Sequence, residues 1–314
     1  PDFCEVYPAH GAGSLCGRAM GAKWRSTIGF ERRYNPALQI EDREEFITSL
    51  TENMPPAPDH FSRCSDINRR GPALAEEMSP PEKMSPDEFR RAAAADESMV
   101  LDVRRYDAFG GQHVPGAWSI DFQGNFPTFA GWVVPPDVDI YLVATDSEEA
   151  RQASLWLRRV GLDRTRGWLD GGMFAWATAG LPTAHVPQLS VLEASEFHGS
   201  GLDSMLLDVR APSEFEDSHV EGAVNISAPD LRTRYDELDP EMETMVVCST
   251  GHRSTLAASI LLSRGLRKIY NVAGGMKGLS AAALAPACVM CSIPHGPKLL
   301  VRKVGDMIEK PAGA

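Results

Sequence analysis

Cysteine is scarce in this chain, six residues in 314, too few to staple a protein of this length and better suited to a reducing, cytoplasmic setting than to a disulfide framework. No stretch reaches the about 18 uninterrupted apolar residues of a spanning helix. The N-terminus has no basic segment followed by an apolar one, so no secretory signal is expected. It starts at Pro1 rather than Met, as a partial or processed chain would. Positive charge is in deficit: the net charge is −12 and the isoelectric point about 5.2, which argues against nucleic acid and acidic membrane surfaces as partners. Hydrophobic residues make up 43%, enough for real cores, and the length calls for two or three domains.

The most informative stretch is Cys248-Ser249-Thr250-Gly251-His252-Arg253-Ser254. It follows the apolar run Met245-Val246-Val247 and precedes a helix-like segment, Thr255 to Leu262. That order predicts a strand, a tight loop carrying a thiol, and a helix N-terminus. Such a loop turns successive backbone N–H groups inward, and the helix end adds partial positive charge. A sulfur at its base is expected as the thiolate, the nucleophilic form. Gly251 permits the backbone angles of the ring, and Arg253 adds a fixed charge. His252 and Ser249 are candidates for orienting a substrate.

A repeat organises the rest. Leu101-Asp102-Val103-Arg104 returns as Leu207-Asp208-Val209-Arg210, and His113-Val114-Pro115-Gly116-Ala117 as His219-Val220-Glu221-Gly222-Ala223. Both recur at one spacing, 106 residues. Gly171-Gly172-Met173 returns as Gly274-Gly275-Met276. Short apolar runs alternate with amphipathic segments, Ile140–Ala144 with Glu148–Val160 and Thr244–Val247 with Thr255–Arg264. This alternation predicts βα units and parallel sheets. The first copy carries Ala144-Thr145-Asp146-Ser147-Glu148-Glu149 where the second carries the thiol loop. It lacks Cys, Gly and Arg, its carboxylates repel anions, and it is expected to be catalytically silent. Asp146 reads as a helix cap. Asp208 and Arg210 suggest an ion pair locking a turn near the site, and His219 a structural neighbour of it. Arg232 and Arg234 read as a solvated face.

The loop, together with Leu207–Arg210, Glu214-Phe215, His219–Ala223 and Gly274-Gly275-Met276, resembles the rhodanese (sulfurtransferase) family over residues 188–283. Four residues between Cys248 and Arg253 make a ring that suits one extra sulfur atom better than the larger cradle of cysteine-dependent phosphatases. Residues 81–187 then form a silent rhodanese-like domain. Residues 1–80, with Tyr7 to Gly17, the helix-like, charged stretch Asn35–Glu52 and the segment Asn53-Met54-Pro55-Pro56-Ala57-Pro58, resemble the C-terminal portion of a metallo-β-lactamase-like αββα domain, as in persulfide dioxygenases fused to rhodanese units. The resemblance implies an α/β protein: two tandem parallel sheets with helices on both faces, preceded by that partial domain.

The resemblance implies that Cys248 carries a persulfide cradled by Ser249, Thr250, Gly251, His252, Arg253 and Ser254. Sulfur passes from thiosulfate or a thiol persulfide to a thiol or cyanide. No cofactor is required for that step. Iron or zinc is expected only in a complete metal domain, and His10 is a remnant of such a site, because the upstream His-x-His-x-Asp-His ligands are missing. Uncovered apolar surface is expected over residues 1–80. An intact protein of this type couples sulfur transfer to persulfide oxidation in sulfide metabolism. A binding module on the same fold, or an enzyme acting on arsenate or phosphate, remains an alternative, and homo-oligomerisation is left open. The tail, 284–314, is expected to be irregular. Its Cys288 and Cys291 have the spacing of a zinc half-site without a second half.

Overall fold

A computed structural model describes residues 1–8, 24–52, 58, 60–74, 78–199 and 204–282. His10, Cys16 and the tail with Cys288 and Cys291 lie outside the described residues. Residues 1–57 form one compact unit and 58–314 another.

In the smaller unit, β1 (Glu5–Val6) pairs antiparallel with β2 (Ser26–Thr27). The charged stretch 35–52, which reads as one helix by composition, is divided. A 3-10 turn, Pro36–Gln39, is capped by Asn35, whose Oδ1 accepts from the Ala37 N–H at 3.1 Å. A helix, Arg43–Thr51, is capped by Asp42 through the Glu45 N–H at 2.8 Å. Each cap holds extended backbone angles, so the two segments cannot fuse. None of the residues in these helical segments is buried, and Trp24, Tyr34 and Leu38 are exposed.

The larger unit holds two parallel sheets of one topology. The first orders its strands β3-β7-β6-β4-β5, from Glu82–Met84, Thr165–Leu169, Asp139–Val143, Ser98–Asp102 and Trp118–Ser119. The second orders β8-β12-β11-β9-β10, from Gln188–Leu189, Ile269–Val272, Glu243–Val247, Ser204–Asp208 and Val224–Asn225. The central strands β4, β6, β9 and β11 end in consecutive buried residues, the mark of sheets covered on both faces.

In each copy a turn follows the second strand. Asp208 is fully buried and grips Arg210, also fully buried, whose Nη2 donates to Asp208 at 2.6 Å and to the Ser218 carbonyl at 2.6 Å. Asp102 and Arg104 repeat this, with the Gln112 carbonyl as third partner at 2.8 Å. Two buried charges are tolerable here because each is paired and hydrogen-bonded.

The two copies share one continuous core, running from Leu101, Leu142 and Leu157 to Leu207, Leu256 and Ile260. Helix Ser147–Arg158 of the first copy is amphipathic, burying Ala150, Ala153, Ser154 and Leu157 along one stripe. Its counterpart, helix His252–Ser263, buries every residue from Ser254 to Leu261. The first copy covers its second face: the edge strand β5 lies against it, with Ser119 N–H donating to Ser259 Oγ at 3.0 Å and Trp118 Nε1 to Ser263 Oγ at 2.9 Å. An open sheet edge and an all-round buried helix thereby resolve each other.

Candidate active site

Strand β11 delivers Cys248 to the base of the loop, and helix His252–Ser263 begins four residues later. Cys248 is buried, 1% exposed. Two donors face its Sγ: the Gly251 N–H at 3.1 Å and the Ser254 hydroxyl at 3.3 Å. Gly251 has φ +113°, a left-handed conformation that side-chain-bearing residues resist.

Gly274-Gly275-Met276 holds the other side of the ring. The N–H groups of Met276 and Lys277 donate to the carbonyls of Cys248 and Ser249 at 2.8 and 3.1 Å. With its carbonyls drawn outward, the loop is free to turn N–H groups toward the sulfur. Gly275 has φ +55°, and a Cβ there would collide with the Cys248 carbonyl oxygen. The doubled glycine is therefore a clearance for the loop.

Arg253 directs its guanidinium at a carboxylate. Its Nη1 and Nη2 bond the two oxygens of Glu214 at 2.5 and 2.8 Å. Burial pushes the Glu214 carboxyl up, but the Arg253 pairing outweighs it and the net displacement is downward, favouring the ionised form. His219 lies outside this contact. It stacks on Phe215 at 4.0 Å and bonds that residue's carbonyl through Nδ1 at 2.8 Å, as His113 does with Phe109. Arg234 pairs with Glu237 on the surface.

In the first copy Ala144 stands in the place of the thiol. Glu149, at the position of Arg253, accepts the Thr145 N–H at 2.6 Å, and Asp146 caps the helix through the Glu149 N–H at 2.8 Å. A carboxylate thus takes a backbone donor of the loop that an anionic guest would need.

The first copy instead reaches into the second copy's site. The Tyr106 ring packs on the His252 imidazole with centroids 4.7 Å apart and lies against Gly251. The buried Asp121 carboxylate comes within 3.4 Å of His252 Nε2. A small cleft between the copies is lined by Asp121, Gly124 and Asn125 on one side and His252 and Arg253 on the other. Sequence reasoning missed Tyr106, Asp121 and the role of Glu214. The repeat offered one signal: at its 106-residue spacing Asp121 faces Ser227 and Tyr106 faces Pro212, so neither belongs to the shared framework.

Among the described residues no group of three His, Cys, Asp or Glu side chains is placed to hold a metal ion. His10, the residue that the metallo-β-lactamase resemblance ties to iron or zinc, lies outside them. No helix among them is long and apolar enough to cross a membrane.

Fold and site together define a duplicated parallel α/β protein with one cysteine-loop centre at the N-terminus of a buried helix. The Rhodanese-like domain family model matches residues 85–179 and 192–282, and the chain belongs to that family. It is 36% identical over 89 residues to the uncharacterized protein YqhL of Bacillus subtilis, covering 28% of this chain and 71% of that protein. It is 32% identical over 92 residues to the putative sulfur carrier protein YrkF of the same organism, covering 29% of this chain and 50% of YrkF. A crystal structure of a metallo-beta-lactamase from Staphylococcus aureus aligns at 30% identity and TM-score 0.42, covering 54% of this chain and 45% of that one. An overlay at that score carries no argument about function. The chain spans half of YrkF and less than half of the S. aureus protein.

Proposed function

We propose that the protein is a sulfurtransferase that carries sulfane sulfur on Cys248, taking it from thiosulfate or a low-molecular-weight persulfide and giving it to a thiol or cyanide. The observation that carries this reading is the sulfur's setting: a buried Sγ faced by the Gly251 N–H and the Ser254 hydroxyl at a helix N-terminus. Membership of the rhodanese family supports it.

The Cys248 thiolate attacks the outer sulfur of the donor, a new S–S bond forms, and sulfite or a thiolate leaves with the electron pair of the broken bond. The loop N–H groups, preorganised by the glycine pair and Met276, stabilise the anionic outer sulfur. Arg253, held by Glu214, braces the ring and offsets its charge. An acceptor then removes the outer sulfur and restores the thiolate. Ser249, Thr250 and His252 are the loop side chains that would orient donor and acceptor. By the resemblance of its first 80 residues, the protein would work in sulfide metabolism beside persulfide oxidation.

The test is thiocyanate formation from thiosulfate and cyanide, with the full chain and with Cys248→Ser. Turnover lost in the variant supports the reading. No turnover and no persulfide on Cys248 from thiosulfate or glutathione persulfide, with the fold intact, would refute it and favour a binding module. Hydrolysis of phosphate esters would favour the oxyanion alternative.

A further inference from the structure

We propose that Asp121, His252 and Thr250 form a proton relay, divided between the two copies, that ionises the acceptor thiol as sulfur leaves Cys248. The proposal rests on the sulfurtransferase reading and names the group that drives its second half-reaction.

The geometry is a chain of three side chains. His252 Nδ1 lies 3.1 Å from the Thr250 hydroxyl, and its Nε2 lies 3.4 Å from Asp121 Oδ2. The second contact is an ion-pair approach without hydrogen-bond alignment, and catalytic contacts of this kind often align only when a substrate arrives. Asp121 is fixed independently of the imidazole: its Oδ2 accepts the Tyr106 N–H at 3.1 Å and its Oδ1 the Gln123 N–H at 2.8 Å. A buried carboxylate beside Nε2 favours the tautomer that carries its proton there, leaving the Nδ1 lone pair toward Thr250. Thr250 belongs to the sulfur ring itself, between Cys248 and the Gly251 N–H that faces Sγ. The imidazole is thus linked through one hydroxyl to the loop that carries the sulfur.

The surroundings suit a base at neutral pH. The imidazole faces Asp121, Asp107, Arg105 and the Tyr106 ring from the first copy, and Thr250 from its own loop. Burial lowers its pKa below the usual 6.5, outweighing the opposing pull of Asp121, so it is neutral at pH 7 and able to accept a proton. Its side chain is still 41% exposed, so an acceptor can approach.

The step balances without an added oxidant or reductant. The acceptor thiol gives its proton to the Thr250 oxygen as the hydroxyl proton passes to His252 Nδ1. The thiolate pair forms a new S–S bond to the outer sulfur, and the pair of the old S–S bond leaves on Cys248 Sγ. The products are an acceptor persulfide anion, the Cys248 thiolate and one proton, which the imidazolium returns to water. Asp121 acts as a positioning residue, touching neither sulfur.

The experiment is single-turnover discharge of the thiosulfate-loaded full chain to two acceptors, an alkyl thiol mostly un-ionised at pH 7 and an aryl thiol already ionised there. Wild type is compared with His252→Gln and Asp121→Asn across pH 6 to 9. Loss of the relay should slow discharge to the alkyl thiol about 10²-fold at pH 7 in His252→Gln, and to the aryl thiol far less. The alkyl-thiol rate, flat near neutrality in wild type, should climb about tenfold per pH unit in the variant, following the thiolate fraction. Asp121→Asn should move the same way by a smaller factor. Equal losses with both thiols, or an unchanged pH profile, overturn the relay and leave His252 a packing residue. If wild type takes up no sulfur at all, the sulfurtransferase reading has failed, and the relay with it.

Discussion

Arg253 and Glu214 are joined by two parallel bonds, 2.5 and 2.8 Å long, although 39 residues separate them in the chain. The guanidinium beside the cysteine loop is therefore committed to a carboxylate on helix Pro212–Asp217. The loop is tied by this pair to the turn that follows β9.

Glu214→Gln should cost about 2 kcal/mol of stability, because it leaves a partly buried guanidinium with half a partner. The pair also has a pH signature. The folded carboxyl sits below its ordinary value of 4.5, so its contribution is complete above pH 4.5 and lost as pH falls through the lower folded value. Urea titrations of wild type and variant should converge on acidification. A constant difference down to pH 3 would contradict the assignment.

Gly275→Ala should separate activity from stability. The new Cβ must displace the Cys248 carbonyl and with it the ring. A shift of about 1 Å at a reacting group costs on the order of 10²-fold in rate. Sulfur uptake from thiosulfate should fall by that factor while the melting temperature drops by only a few degrees. Uptake at the wild-type rate would show that the loop tolerates the intrusion.

Ser259→Ala tests the seam between the copies. It removes the Ser259 Oγ that accepts the buried Ser119 N–H, and an unsatisfied buried donor costs about 1–3 kcal/mol. Thermal unfolding should remain a single transition at lower temperature, since the copies share one core. Two resolved transitions would indicate that they unfold separately.

His113 supplies a second pH-dependent contribution. Burial lowers its pKa from 6.5 to about 4, against the opposing bond to the Phe109 carbonyl. The unfolded chain therefore takes up a proton between pH 6.5 and 4 that the folded chain refuses. The stability held above pH 6.5 declines across that window, by about 3 kcal/mol at most. In His113→Asn that part of the pH dependence should disappear, as measured by denaturant midpoints at pH 7 and pH 4.5.

The legible parts of this protein were the local ones. Strand, loop and helix around Cys248 follow from an apolar run, a Gly- and Arg-bearing loop and a helical segment next to one another in sequence. The duplication follows from residues repeated at a constant spacing, and the buried ion pairs from Asp-x-Arg appearing twice. What escaped depends on contacts between distant segments. Glu214 stood in view as part of a motif, but nothing in one sequence pairs it with Arg253. Asp121 and Tyr106 belong to the first copy, and their proximity to His252 exists only once the copies have packed. The segment 35–52 misled for another reason. Its charged composition outweighed Pro36 and Asp42, whose capping geometry divides it.

Helix His252–Ser263 has no wet side between Ser254 and Leu261. A rhodanese unit meant to stand alone would need that helix to offer water one polar face, as helix Ser147–Arg158 still does. Either copy, cut away, would expose apolar surface that the other now covers. The half that carries Ala144 in place of the thiol serves the other as a wall.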